Sequence, residues 1–466
     1  MLKRAEPAWP RKRLRSSFGN FWMVFARPRI KTSRNLGIIR KPPKMLYLAL
    51  GSNLGDRVDY LSSAIRELLR RGLITRPLRF SSVYETQALL PAHAPETWDR
   101  GFLNMVVEAQ SNLEPLALLD EIKKLEKNLG RNERERWAPR EIDIDIIYWK
   151  NHELDLPALK IPHRDLYDRD FFLKPLSELL PQSEEFKKSS GQLKCERIPV
   201  SVLPTQLMGI INVTPDSFSD GDLFLKAESA VSQAKFLMEQ GASVLDLGAE
   251  STRPNAIALN PTEEWSRLEP VLRILREQLP SWMRLSVDTR HADVASKALE
   301  FGTNIINDVS AGEDPLMLEV LKSSDCRYVF MHHLGVPVDS KRCLPQDVDP
   351  VIAVETWLDE RLRFFVDRGI SKERLIADPG IGFGKTAQQS WELIRNMKGF
   401  HDSNVNLLVG HSRKSFLGLI TAKASKDRDP ETSLISAKLA EDGVGYLRLH
   451  HVAASVSAIK THFYLQ

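Results

Sequence analysis

Between residues 206 and 466 eight short runs rich in Val, Ile and Leu recur, and each ends on a polar side chain. They are "LMGIINVT" (207–214), "SVLDLGAE" (243–250), "RLSVDT" (284–289), "NIINDVS" (304–310), "RYVFMHH" (327–333), "RLIADPG" (374–380), "NLLVGHS" (406–412) and "YLRLHH" (446–451). Helical patterns separate most of them, as in "ESAVSQAKFLMEQG" (228–241). Eight β–α units in this length predict a (β/α)8 TIM barrel. A barrel builds its active site at the C-terminal ends of its strands. Asn212, Glu250, Asp288, Asn307, His332, Asp378, His411 and His450 are therefore expected to converge on one mouth.

The region from 45 to 180 reads differently. "LYLALGSN" (46–53), "FSSVYET" (80–86), "FLNMVVEAQ" (102–110) and "REIDIDIIYW" (140–149) read as strands. Val58, Leu61, Ile65, Leu68 and Leu69 make one helical stripe, and Leu118, Leu119, Ile122, Leu125 and Leu129 make another. The order βαββαβ predicts a ferredoxin-like α+β domain. In the last strand the period of two puts Glu141, Asp143 and Asp145 on one face, where like charges repel. Arg131, Arg134, Arg136 and Arg140 lie just upstream. Paired carboxylates beside an arginine cluster suit Mg²⁺ together with a polyphosphate, since the hard cation takes oxygen ligands and arginines neutralise phosphate oxygens. "PQSEEFKKSSGQLKCERIPVSVLP" is polar and turn-rich, so residues 181–205 are expected to be a linker between separable halves.

Composition narrows the class. No apolar run approaches the length that spans a bilayer. Cys195, Cys326 and Cys343 form no CxxC, which points to a reducing compartment. The net charge of +4 conceals an asymmetry: residues 1–44 hold 13 Lys/Arg and one acid, so the remainder carries −8. A basic extension on an acidic body is no nucleic-acid-binding pattern. Residues 1–44 are expected to be an unstructured extension or a misassigned start before Met45, an organellar presequence, or a functional basic arm, giving a cytoplasmic protein or one of the mitochondrial matrix.

Two resemblances sharpen this reading. "GSNLGDR" (51–57), "ERWAPREIDIDII" (135–147) and "IPHRDLYDRDF" (161–171) resemble hydroxymethyl-dihydropterin pyrophosphokinase. That resemblance implies transfer of pyrophosphate from ATP to a hydroxymethylpterin. It further implies two Mg²⁺ on Asp143 and Asp145, and triphosphate contacts from Arg131, Arg140, His163 and Arg169. Asn104 and Phe171 would face the pterin, and Trp137 would ride on the loop that closes the site. Arg164 departs from the Tyr that some relatives carry.

"GIINVTPDSFSDG" (209–221), "GAESTRP" (248–254), "DPGIGFGK" (378–385) and "GHSRKSFLG" (410–418) resemble dihydropteroate synthase. This implies condensation of dihydropterin pyrophosphate with p-aminobenzoate in a protein that is a homodimer through its barrel. Asn212 would bind one Mg²⁺ and the pyrophosphate, with Thr252 and Arg253 nearby on a mobile loop. Asp288, Asn307, Asp378 and Lys414 would hold the pterin, with Met331 beside it. Phe383, Lys414 and Ser415 would border the p-aminobenzoate, and Arg448 and His450 would form an anion pocket. Asn255, Asp222 and His451 depart from the common pattern. Two other readings stay open: a pterin-binding methyltransferase barrel, and a non-catalytic pterin-binding protein. Two decoys carry little. "GIGFGKT" has one residue too few between its glycines for a P-loop, and adjacent histidines point to opposite faces of a strand.

Overall fold

Strand β1 (Leu46–Ser52) is buried along its whole length, and the two layers that bury it define the first domain. The computed structural model describes residues 45–465, apart from 136, 189, 190, 192, 214–222, 251–257, 338, 340 and 402–404. After β1 come α1 (Arg57–Arg70), β2 (Thr75–Phe80), β3 (Val83–Thr86), β4 (Phe102–Gln110), α2 (Pro115–Asn128) and β5 (Asp143–Trp149). A small ribbon of β6 (Leu154–Asp155) and β7 (Lys160–Ile161) leads to α3 (Asp170–Leu179) and β8 (Cys195–Ile198). The antiparallel sheet runs β5-β1-β4-β3-β8, with β2 also paired to β4. Because β2 and β3 share the place of one bent strand, this is the ferredoxin-like order.

The period of two in β1 sorts its side chains. Leu46, Leu48 and Leu50 join the core formed with Leu61, Ile65 and Leu68 of α1 and Ile122 and Leu125 of α2. Tyr47 and Ala49 face the other way, with Val106 and Ile147, onto Phe172, Leu173 and Leu176 of α3. The junction is not a free tether among the described residues. Its strand β8 pairs with β3, and Val200, Val202 and Leu203 are buried. A fragment ending at residue 180 would lose this edge strand.

The second half closes into a barrel of eight parallel strands. They are β9 (Gln206–Asn212), β10 (Val244–Gly248), β11 (Arg284–Asp288), β12 (Ile305–Asp308), β13 (Arg327–Met331), β14 (Leu375–Asp378), β15 (Asn406–Val409) and β16 (Tyr446–Leu449). Helices α4 (Leu223–Glu239), α5 (Pro261–Gln278), α6 (Ala292–Glu300), α7 (Met317–Lys322), α8 (Pro350–Val366), α9 (Ala387–Arg395), α10 (Asp429–Glu441) and α11 (Val452–Leu465) follow the strands in turn. Met208, Val244, Ile305, Val329, Ile376, Leu408 and Tyr446 form one interior apolar cluster, so the barrel is filled and is not a pore.

The floor of the barrel, where the strands begin, is covered by α1. Asp56, the N-cap of α1, accepts from Asp59 N at 3.1 Å and pairs with Arg284 at 2.8 Å. The Asp59 carboxylate meets the Arg327 guanidinium and the Gln206 amide, and Tyr446 Oη lies 3.4 Å away. Ser62 Oγ donates to Leu203 O at 2.5 Å, and Arg66 donates to Pro204 O at 3.1 Å and to Asn406 Oδ1 at 3.3 Å. At the edge, Arg76 pairs with Glu441 at 2.8 Å and lies over the ring of Phe463, which packs edge-on against Phe80. Burial by itself would raise the Asp59 carboxyl, but Arg327, Arg284 and Arg66 outweigh it and hold it well below the ordinary carboxylate range.

Asp59→Ala would leave the largely buried Arg327 guanidinium without the carboxylate it pairs with. Breaking a buried pair in this one-sided way is expected to cost about 3 kcal/mol in a denaturant melt of the full chain. A loss below about 1 kcal/mol would place this pair among the weak surface bridges.

Candidate functional site

The first cluster of functional groups lies at one end of the antiparallel sheet. Gly51 is in register with Asn104 on one side and Asp143 on the other. A Cβ at Gly51 would come within 3.0 Å of Asn104 Oδ1, so the strands carry their polar groups past a position where only glycine fits without displacement. Asn104 is buried and donates to Thr86 Oγ1 at 2.9 Å. Asp143 accepts from Arg131 at 2.6 Å and from Arg140 at 2.9 Å. Asp145, two residues along the same face, has no hydrogen-bond partner among the described residues. Burial first, and then the Asp143 charge, pushes its carboxyl up to about 7.

His163 and Arg169 lie within electrostatic reach of the pair. His163 is anchored by its backbone N to Ile147 O at 2.9 Å, and its ring packs against Phe172. Burial lowers its imidazole pKa, with Arg169 adding to the effect. Arg169 pairs with Asp165 at 2.5 Å and lies over the rings of Phe171 and Phe172. Its charge is felt at Asp145, as that of Asp143 is at His163. Trp137 sits in the loop before β5 with φ of 77°, a left-handed backbone that a bulky residue rarely adopts.

Two details correct the sequence reading. Glu141 does not share the face of Asp143 and Asp145. It is buried beneath Arg134, which bonds it at 2.7 and 2.9 Å. The strand begins only at Asp143 because the Arg140 backbone is tied to Asn53, with N to Oδ1 at 2.8 Å and Asn53 N to Arg140 O at 3.2 Å. Arg136 lies outside the described residues. The sequence reading also missed Glu126. It is buried, accepts from Ile144 N at 2.8 Å and pairs with Arg131 at 2.8 Å, so it supports the arginine that grips Asp143. Its position inside an amphipathic helix gave no signal.

The second cluster lies at the mouth of the barrel. Asn212, Gly248, Asp288 and Asn307 are neighbours in register across β9 to β12, and Met331 is beside Asp378 across β13 and β14. Arg448 reaches from β16 to Asp246 at 2.6 Å and to Asp288 at 2.7 Å. Asn307 donates to the same Asp246 oxygen at 3.3 Å. Burial raises the Asp288 carboxyl, and Arg448 opposes the shift. Asp378 is buried and accepts from Gly380 N at 2.7 Å, and burial raises its carboxyl too. Lys414 donates to Ile381 O at 2.6 Å and stands 4.7 Å over the Phe383 ring. Burial lowers its ammonium to about 8 against the pull of Asp378. Ser415 is exposed at the start of the turn that follows, and Ser412 Oγ holds His450 at 3.0 Å. Thr252 and Arg253 lie outside the described residues.

Not all eight strand-end groups share this work. His411 turns into the core to meet Thr432 O and Ser436 Oγ. Glu250 is committed to Arg290 at 2.9 Å. His332 is buried against Lys385 at 2.8 Å. The lysine of "GIGFGKT" turns inward and donates to Gly380 O at 3.0 Å, Phe383 O at 2.9 Å and His332 O at 3.3 Å. Asp246 was missed, although an acid in the middle of the apolar run "SVLDLGAE" was a legible signal.

Comparison with known proteins comes out consistently along the chain. The family described as 7,8-dihydro-6-hydroxymethylpterin-pyrophosphokinase matches residues 47–181, and the family described as pterin binding enzyme matches 208–450. The folate synthesis bifunctional protein of Chlamydia caviae is 37% identical over 432 residues, which is 88% of this chain and 96% of its own. The mitochondrial folate synthesis bifunctional protein of Pisum sativum is 34% identical over 491 residues, covering 95% of this chain and 93% of its own. Among solved structures, the dihydropteroate synthase of Anaplasma phagocytophilum with bound 6-hydroxymethylpterin-monophosphate is similar. Its TM-score is 0.51 at 36% identity, covering 55% of this chain and 98% of that one. The Xanthomonas albilineans dihydropteroate synthase with 4-aminobenzoic acid gives 0.52 at 35% identity, covering 57% and 93%.

Lys385 staples the loop that carries Phe383. Lys385→Met would leave three carbonyls without this donor and is expected to cost about 2 to 4 kcal/mol. Amide hydrogen exchange at Phe383 and Gly384 should accelerate well beyond that of β14. Unchanged exchange there would show that the loop holds its shape without the lysine.

Proposed function

The chain belongs to the family of bifunctional folate-synthesis enzymes, and on that premise we propose how its two sites divide the work. The first domain transfers pyrophosphate from ATP to 6-hydroxymethyl-7,8-dihydropterin and releases AMP. The barrel condenses that product with p-aminobenzoate to 7,8-dihydropteroate and releases pyrophosphate. The observation that carries the reading is the pairing of two complete constellations in one chain: Asp143, Asp145, Arg131 and Arg140 on the sheet, and Asp288, Asn307, Asp378, Lys414 and Arg448 at the barrel mouth.

The family reaction uses Mg²⁺, and the residues present fit it. Asp145 is a half-buried carboxylate without a hydrogen-bond partner among the described residues, beside a second carboxylate that already holds two arginines. Two hard oxygen donors suit a cation that keeps its other positions for water and phosphate. Bound there, two Mg²⁺ would remove the repulsion of the pair and draw charge from the reacting phosphates. Arg131, Arg140, His163 and Arg169 orient the triphosphate, and Arg131 and Arg140 must share their donors between it and Asp143. Asn104 and Phe171 hold the pterin. The Trp137 loop excludes the water that would compete as acceptor.

In the barrel, Asp378 accepts the N–C–N edge of the pterin, aided by Asp288, Asn307 and Lys414, with Met331 against the ring. Phe383, Lys414 and Ser415 border the p-aminobenzoate. Arg448 and His450 stabilise the charge on departing pyrophosphate, the family resemblance gives Arg253 and Thr252 a share in that duty, and Asn212 would hold an Mg²⁺ that draws on the same charge. The departing charge needs no strong base at the amine.

Residues 45–180 and 206–466 are the two catalytic domains, with 181–205 between them and 1–44 as an extension. The protein is a homodimer through its barrel, a reading to which the exposed Leu419, Ile420 and Leu434 contribute apolar surface. No described helix is long and apolar enough to cross a membrane. The site of action is the cytoplasm, or the mitochondrial matrix if residues 1–44 are a transit peptide; the Pisum relative is labelled mitochondrial.

Incubation with ATP, Mg²⁺, the hydroxymethylpterin and p-aminobenzoate should yield AMP, pyrophosphate and dihydropteroate together, and absence of any one would break the two-step reading. Asp143→Ala or Asp145→Ala is expected to slow AMP release at least about 10²-fold while the barrel still consumes supplied dihydropterin pyrophosphate. Full AMP release by either variant would remove the metal assignment.

The barrel reaction has its own pH signature. Lys414 carries its charge below about 8 and loses it as the pH rises through that value. The synthase kcat/KM is therefore expected to fall above about pH 8. Lys414→Arg, which stays charged, should move the decline above about pH 9 whatever its effect on rate. A flat wild-type profile through about pH 9.5 would show that the charge is not used.

A further inference from the structure

The segment from Gly51 to Asp59 has a catalytic site at one end and the floor of the other domain at the other. Asn53 works as a clamp. Its Oδ1 accepts from Arg140 N at 2.8 Å, its own N donates to Arg140 O at 3.2 Å, and its Nδ2 donates to Arg100 O at 3.3 Å. The residue so clamped, Arg140, binds Asp143 through its side chain. Only Leu54 and Gly55, the latter at φ of +64°, separate Asn53 from Asp56.

Asp56 divides its two oxygens between domains. Oδ1 caps its own helix at Asp59 N, and Oδ2 pairs with Arg284, the first residue of barrel strand β11. Arg284 is buried, and its Nε and Nη2 find no partner among the described residues, so it leans on this carboxylate and on Tyr446 Oη at 3.3 Å. Arg57 repeats the pattern. Its Nη1 donates to Gly101 O at 2.7 Å, three residues before Asn104, and its Nη2 reaches Ser281 Oγ of the barrel at 3.4 Å. One turn along, Asp59 is held by Arg327 and Gln206, at the starts of β13 and β9.

We infer that Arg284 and Arg327 on the floor of the barrel are positioning residues for pyrophosphoryl transfer: through Asp56 and Asp59 they fix the start of α1, and with it the Asn53 clamp that sets the Arg140–Asp143 pair. This rests on the assignment of the kinase reaction to the first domain. The physical case is one of leverage. Misplacement of catalytic groups by about 1 Å can cost on the order of 10²-fold in rate. A two-residue spacer transmits a shift of the helix start directly to the clamp. The barrel's own mouth lies at the opposite ends of the same strands, about 13 Å away along β11 by strand rise.

The decisive variant is Asp56→Asn in the full chain. Asparagine caps a helix as well as aspartate does, so the cap survives while the charge facing Arg284 disappears. The kinase step is followed by AMP release, and the synthase step by dihydropteroate formation from supplied dihydropterin pyrophosphate. Asp56→Asn is expected to lower kinase kcat/KM for the pterin at least about tenfold and to raise the Mg²⁺ concentration for half-maximal rate, with synthase kcat/KM within about twofold of wild type. Arg284→Gln should do the same, and the double variant should be no worse than the worse single, as for two groups acting through one contact. If Arg284→Gln folds poorly, Asp56→Asn still decides.

Wild-type kinase kinetics in Asp56→Asn would show that Asp56 only caps its helix and would overturn the proposal. Equal loss of both activities with a lowered Tm would reduce the floor contacts to general stability and overturn it too. Failure of the wild-type chain to release AMP at all would be recognised separately, as failure of the functional reading on which the proposal stands.

Discussion

Two of the eight barrel strands, β11 and β13, begin with an arginine whose charge the barrel core cannot match. Arg284 and Arg327 stand largely buried at the strand starts, an arrangement that is costly unless carboxylates meet them. Helix α1 of the first domain brings Asp56 and Asp59 to that place. Each partner leaves an uncompensated charge if the other is withdrawn, so the pairing fixes where α1 sits more than it adds net stability. The edge contacts of Arg76, Glu441 and Phe463, and the strand that the junction lends to the first sheet, follow from a docking set by these charges.

Both sites use the same device. Side chains that must carry charge are mounted at strand ends, where backbone pairing leaves little freedom, and glycine makes room beside them. Gly51 separates Asn104 from Asp143 in the sheet, and Gly248 lies between Asn212 and Asp288 in the barrel. In each site the arginines rest on the protein's own carboxylates, Arg131 and Arg140 on Asp143 and Arg448 on Asp246 and Asp288. A substrate phosphate must share those donors. The cost is some affinity, and the gain is that the guanidiniums hold their orientation before substrate arrives.

Much of this was legible in the chain, for reasons that differ by element. The period of two in "REIDIDIIYW" fixed the common face of Asp143 and Asp145, because strand geometry allows no other outcome once the isoleucines are buried. It failed for Glu141, because the backbone tie between Arg140 and Asn53 delays the start of the strand to Asp143. The eight apolar runs announced the barrel, yet strand position alone could not tell a mouth group from a core group. Asp378 and His411 both end a run, but His411 finds acceptors in α10 and stays inside.

Local chemistry, repeated at a fixed spacing, is what the sequence by itself determined: the two architectures, the carboxylate pair with its arginines, and the strand-end residues of the barrel. Such features depend on neighbours within a few residues, so they are written in the order of the side chains. Contacts between residues far apart in the chain were decided only by the tertiary structure. Asp59 meets Arg327 across 268 positions, and Arg448 meets Asp246 across 202. No periodicity encodes such pairs: even where one partner stands out, as Asp246 does inside its apolar run, nothing in the sequence names the other. Only burial, which the assembled fold imposes on both at once, makes them partners.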